Sequence, residues 1–166
     1  MRSYRDVLRM NIAAAKAQHF LSYDSDDNQI LVSHLLKISP FAEVPNILTR
    51  LQSKYRIGVI SNTDDDIISG SLETLGVSLD YVITAQQAGA YKPNLRLFQY
   101  AHAKMGVSAA ETIHVAASQE LDISVCATMD IRSIWVNRRG EKKDDRWTPI
   151  WVVEDLASLP EKIDNM

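Results

Sequence analysis

Five short runs rich in β-branched residues constrain this chain more than any other feature. IGVIS, YVIT, TIHVAA, IRSIWV and IWVV are too short for helices, and their branched side chains suit a pleated surface. Helical stretches separate or follow them, around Asp65–Leu75, Leu95–Met105, Glu120–Met129 and Asp155–Lys162. Strands that alternate with helices pair in parallel, because each helix returns the chain to the starting edge of the sheet by a right-handed crossover. The prediction is an α/β domain with a parallel sheet and helices on both faces.

The first forty residues have a different texture. Val7, Leu8, Ile12, Ala15 and His19/Phe20 recur every three to four positions, which predicts a helix over Tyr4 to Phe20. SYDSDDNQ breaks it, and Asp26 or Asp27 suits the cap of a second helix through about Leu36. Pro40 and Pro45 bracket a connection into a helix from about Pro45 to Lys54, where proline fits the first turn. A boundary near Pro40 therefore divides a helical segment, 1–40, from an α/β core, 41–166. RRGEKKDDRWTP reads as a solvated excursion between the last strands.

Composition narrows the partners. A chain of 166 residues, 46% hydrophobic and 23% charged, can bury a sizeable core. Its net charge of −3 offers no broad basic surface, so nucleic acid is not an expected partner. No apolar run approaches the roughly 20 residues of a membrane span. MRSYRDVLRM lacks an apolar signal core, and the single cysteine, Cys126, cannot form an internal disulfide. These features predict a cytoplasmic protein.

Ligands of open parallel sheets sit beyond the carboxyl ends of the strands. Three marked loops fall there: Ser61-Asn62-Thr63, Tyr91-Lys92-Pro93, and Ala117-Ser118 with Asp122 shortly after. Each has a plain structural alternative. Ser61 to Asp66 can simply cap the following helix, and a lone lysine is ordinarily a solvated charge. His19, His34, His102 and His114 show no metal-ligand spacing, and His114, inside a strand, reads as structural. Trp135, Trp147 and Trp151 suit core packing, and Cys126 suits an inert buried thiol.

Taken in order, RIGVISNTDDD, AGAYKPNLRLF, TIHVAASQELDI and IRSIWVNRRG resemble the later motifs of the haloacid dehalogenase superfamily, particularly its 2-haloacid dehalogenase-like branch. The resemblance implies a Rossmann-type core, with Tyr4 to Pro45 as part of a helical cap. It implies catalytic roles for Lys92, Ser61 and Asn62: Ser61 and Asn62 at the substrate's charged group, Lys92 at the reacting carboxylate. Thr63, Tyr91, Ser118 and Asp122 are the implied substrate-binding positions, for a small-molecule substrate.

Two departures from the pattern shape the functional expectation. The family's nucleophile motif precedes the cap, and no such strand and aspartate stand there in this sequence; Asp24-Ser25-Asp26 has the spacing but lies between two cap helices. Ala117 replaces the first metal-binding acid of the fourth motif, so neither a metal site nor another cofactor is expected. The resemblance also puts the missing central first strand between the strands of IGVIS and TIHVAA. Those two strands are expected to close against each other, with homodimerisation. The expected function is a repurposed enzyme acting without hydrolysis, by isomerisation, elimination or cyclisation, in specialised-metabolite biosynthesis. The alternatives are a non-enzymatic binding or regulatory protein or inactive paralogue, and a residual dehalogenase- or phosphatase-type hydrolase using a substitute acid such as Asp64 or Asp122.

Overall fold

The computed structural model describes residues 1–24 and 26–166. The expected Asp24-Ser25-Asp26 triplet thus includes Ser25, which lies outside the described residues. Helix α1 (Tyr4–Gln18) begins at Ser3, whose hydroxyl accepts the Asp6 amide, and α2 (Asp27–Leu35) follows. Neither Asp26 nor a partner residue caps α2 in the expected way. Instead the Asp27 carboxylate accepts the Asp24 amide at 2.7 Å and pairs with Lys16, tying the turn back to α1.

The chain then runs through α3 (Val44–Gln52), β1 (Gly58–Ser61), α4 (Asp65–Leu75), β2 (Tyr81–Thr84), the short α5 (Ala85–Ala88) and α6 (Leu95–Met105). After a 3-10 turn at Ala109–Glu111 come β3 (Ile113–Ala116), a π turn at Gln119–Ile123, α7 (Ser124–Thr128), β4 (Arg132–Val136), β5 (Trp151–Val153) and α8 (Leu159–Asp164). Left-handed glycines end three of the helices: Gly76 (φ 67°) stops α4, Gly89 (φ 64°) stops α5 and Gly106 (φ 67°) stops α6. The helix expected at Glu120–Met129 is split, because Asp122 and Ile123 both donate to the Ser118 carbonyl and open a π turn before α7.

All strand pairings are parallel, but they form two sheets: β1 with β2, and β3-β4-β5. The expected closure of β1 against β3 does not occur; no ladder joins them. Their proximity comes from α6 instead. Ile60 of β1 packs with both the Ile83–Leu97 cluster and the Phe98–Val125–Ile131 cluster, so the two sheets share apolar contacts through α6. On β3, Ile113 and Val115 join a third cluster with Ile134, Val153 and Leu159. Alternation along the strand then turns His114 and Ala116 to the opposite face.

The helical segment is docked on the core by small, specific contacts. Gly70 of α4 lies against Leu36, where an added Cβ would fall 2.4 Å from the Leu36 Cδ2. No helix among the described residues is long and apolar enough to cross a membrane.

Candidate functional site

Asn62, immediately after β1, is the residue that organises the site. Its side-chain oxygen accepts the Lys92 backbone N–H at 2.7 Å, and its amide nitrogen donates to the Lys92 carbonyl at 3.2 Å. An amide can make this reciprocal pair because it carries a donor and an acceptor side by side. The clamp fixes the Lys92 backbone beside the end of β1, where the Lys92–Pro93 peptide is cis.

From there the Lys92 side chain runs inward. Its ammonium donates to the Ile60 carbonyl at 3.2 Å and to Asp122 Oδ1 at 2.8 Å. His114 Nε2 lies 2.9 Å from that same oxygen. Lys92, Asp122 and His114 thus connect the end of β1, the π turn and β3. Asp122 is only 4% exposed. Burial pushes its pKa up, but the His114 hydrogen bond and the Lys92 charge outweigh it and leave the carboxyl below its ordinary value. A buried acid of this kind stays ionised only while its partners remain.

The other expected positions divide. Ser61 lines a cleft of about 620 Å³ that is walled mainly by apolar groups, among them Phe41, Leu48, Val59 and Leu72. Thr63 also lines it; the residue is buried, and its hydroxyl has no hydrogen-bond partner among the described residues. Tyr91 donates to the Arg2 carbonyl at 3.1 Å, joining the loop to the start of α1. Burial, then the nearby Asp64 charge, raises its phenol pKa. Ser118 accepts the Leu121 amide at 3.1 Å and so caps the π turn. Lys92, Asn62 and Asp122 form one connected network, with Ser61 and Thr63 next along the chain.

Two residues outside the expected site positions matter here: His114, expected to be structural, and Asp64, expected as a cap or a substitute acid. His114 belongs to the network through its bond to Asp122. Asp64, grouped in sequence with the acids capping α4, makes no such cap. Its two carboxylate oxygens accept the backbone amides of Tyr4 at 2.9 Å and Arg5 at 3.0 Å, at the start of α1. Arg5 also pairs with Asp66. With both oxygens of Asp64 engaged in this latch, it is poorly placed to serve as a substitute acid.

A divalent metal, which the resemblance associates with phosphatases, does not fit these residues. No group of three or more His, Cys, Asp or Glu among the described residues could hold one. At Ala117 the backbone carbonyl accepts the Trp135 indole N–H at 3.0 Å, and Asp122 Oδ1 is already shared by Lys92 and His114.

Comparison with known proteins gives this geometry its setting. The profile of the family described as haloacid dehalogenase-like hydrolase matches residues 9–136. An (S)-2-haloacid dehalogenase from Pseudomonas sp. strain YL is 24% identical over 145 residues, covering 85% of this chain and 62% of the enzyme. A glyceraldehyde 3-phosphate phosphatase from Methanothermobacter thermautotrophicus is 29% identical over 132 residues, covering 75% of this chain and 58% of that one. This chain therefore spans roughly three fifths of the length of these relatives. Among solved structures, an L-2-haloacid dehalogenase from Xanthobacter autotrophicus with chloropropionic acid covalently bound superposes with a TM-score of 0.91 at 17% identity, covering 99% of this chain and 77% of that one. The last likeness concerns the fold. The named activities of the sequence relatives are hydrolytic, which overturns the expected isomerase, lyase or cyclase chemistry and its biosynthetic setting.

Proposed function

The chain belongs to the haloacid dehalogenase-like hydrolase family, and from that premise we propose that it serves the hydrolysis of a small organic anion of the 2-haloacid class. The observation that carries this reading is the partly buried Lys92 ammonium, held beside the end of β1 by Asp122, the Ile60 carbonyl and the Asn62 clamp. A partly desolvated cation attracts an anion more strongly than one in water. Ser61 and Asn62 line the apolar cleft that receives the carbon skeleton, and Lys92, joined to that lining through the Asn62 clamp, supplies the charge. Asp122, kept ionised by its partners, balances Lys92 and is the acid of this site.

Phosphate monoesters are the second reading, favoured only by the phosphatases among the relatives. Halide release from 2-chloropropionate and phosphate release from p-nitrophenyl phosphate, followed side by side, separate the two. Halide release that falls at least about a hundredfold in Lys92→Met and Asp122→Asn supports the first. Phosphate release without halide release supports the second, and neither product in the wild type sinks the hydrolase reading.

The buried free thiol of Cys126, whose pKa burial pushes up to about 12, is suited to a reducing cytoplasm, where we place the protein. A homodimer is our reading of the exposed Phe20, Leu21 and Tyr23 at the α1–α2 turn. Sedimentation as a monomer at all concentrations would remove it.

A further inference from the structure

Two donors, Lys92 and His114, and two oxygens decide where the site's cation points, and His114 has no role yet. Lys92 ends in an ammonium on a flexible four-carbon stem, which has little rotational preference of its own. Its position is set by its two acceptors, the Ile60 carbonyl and Asp122 Oδ1. The Ile60 carbonyl is fixed in β1. The Asp122 carboxylate is a side chain on a π turn, a distorted local geometry of the kind often found at functional sites. What fixes that carboxylate is His114.

We propose that His114 is a positioning residue of this site, holding Asp122 Oδ1 in the orientation at which the Lys92 ammonium docks. The inference rests on the hydrolase reading for its kinetic consequence and on geometry for everything else. An ionised carboxylate only accepts hydrogen bonds, so His114 Nε2 carries the hydrogen and donates across the 2.9 Å separation. His114 is itself immobilised. Its backbone lies in the β3–β4 ladder opposite Ser133, and its ring meets the edge of Phe98 with centroids 5.1 Å apart at 64°. A rigid strand residue therefore aims a turn residue, which in turn aims a flexible cation. With both donors on Oδ1, Asp122 Oδ2 receives no hydrogen bond from any described residue. The titratable groups around Asp122 are Lys92 from the loop before α6, His114 on β3 and Cys126 on α7. His102 on α6 lies beyond His114, and burial, then His114, keeps its pKa low.

The test compares His114→Phe, which keeps an aromatic ring against Phe98 but has no donor, with His114→Gln, which keeps a side-chain N–H. Two measurements are made on the full chain: the pH titration of the Asp122 carboxyl carbon by NMR, and kcat and KM for halide release from 2-chloropropionate. In His114→Phe the Asp122 midpoint rises and kcat falls roughly tenfold to a hundredfold, while KM stays within about twofold. In His114→Gln both return most of the way. An unchanged Asp122 midpoint in His114→Phe, or a His114→Gln that behaves like His114→Phe, reduces His114 to packing and overturns the proposal. If the wild type releases no halide, the hydrolase reading fails. The NMR titration still decides the positioning role.

Discussion

Asp64 and Asp122 are both buried aspartates that follow parallel strands, and they are used in opposite ways. Asp64 gives its two oxygens to two backbone amides of α1, about sixty residues away in sequence. Asp122 gives one oxygen to two cationic or basic side chains and none to the backbone of another element. Backbone amides at a helix start cannot leave or titrate, so the first arrangement is a fastening. A lysine and a histidine can exchange partners, so the second is a place where an anion can compete. Burial alone does not mark a functional acid; the identity of its donors does.

That contrast can be broken by removing the donors or the acids. The largest effect is expected from Lys92→Met, which strands Asp122 without its countercharge. Loss of one partner from such a pair costs about 3–5 kcal/mol, a Tm drop of roughly 6–20 °C for a chain of this size. A Tm within about 2 °C of wild type would show that water already compensates the pair. Next comes Asp64→Asn, in which one α1 amide loses its acceptor at a cost of about 1–3 kcal/mol. Hydrogen exchange should speed up at the start of α1 and stay unchanged in β3 and β4. Uniform acceleration over the whole chain would mean the latch is not local.

Acid should act on the Asp122 side of the comparison. Its folded pKa lies below the ordinary 3.8, so its stabilisation is complete above that value and is lost as pH falls through the folded pKa. Urea unfolding followed downward from pH 5 should show this loss in the wild type and not in Asp122→Asn. Identical acid limbs in the two proteins would contradict it. The smallest change is Ser118→Ala, which removes the cap of the π turn for about 0.5–1 kcal/mol. It should leave KM unaltered if the hydroxyl's work is to accept the Leu121 amide. A several-fold rise in KM would return Ser118 to the substrate.

Local patterns carried the architecture well. The strands YVIT and IHVA follow directly from β-branched runs, and the helices Asp65–Leu75 and Leu95–Met105 fall where the alternation of strands and helices places them. The site was legible as positions and not as partnerships. Lys92 and Asn62 are thirty residues apart, and nothing in either loop says that an amide will clamp a lysine backbone. His114 looked like any strand histidine, because its meaning depends on the π turn that delivers Asp122. Asp64 announced a helix cap correctly in chemistry and wrongly in address, since it serves α1 rather than α4. The separation of β1 from β3 was hidden for the same reason: strand order is set by long-range packing through α6, which periodicity does not encode.

Trp135 offers one more consequence. Its ring is 1% exposed, and its indole N–H is bonded to the Ala117 carbonyl at the end of β3, a few residues from Asp122. Trp147 and Trp151 are more exposed and lie against Arg146 and Lys162. The three indoles therefore sit in separate dielectric surroundings, and the blue edge of the emission is expected from Trp135. The protein carries its own optical gauge of the π turn, readable without a label while a candidate anion is titrated in.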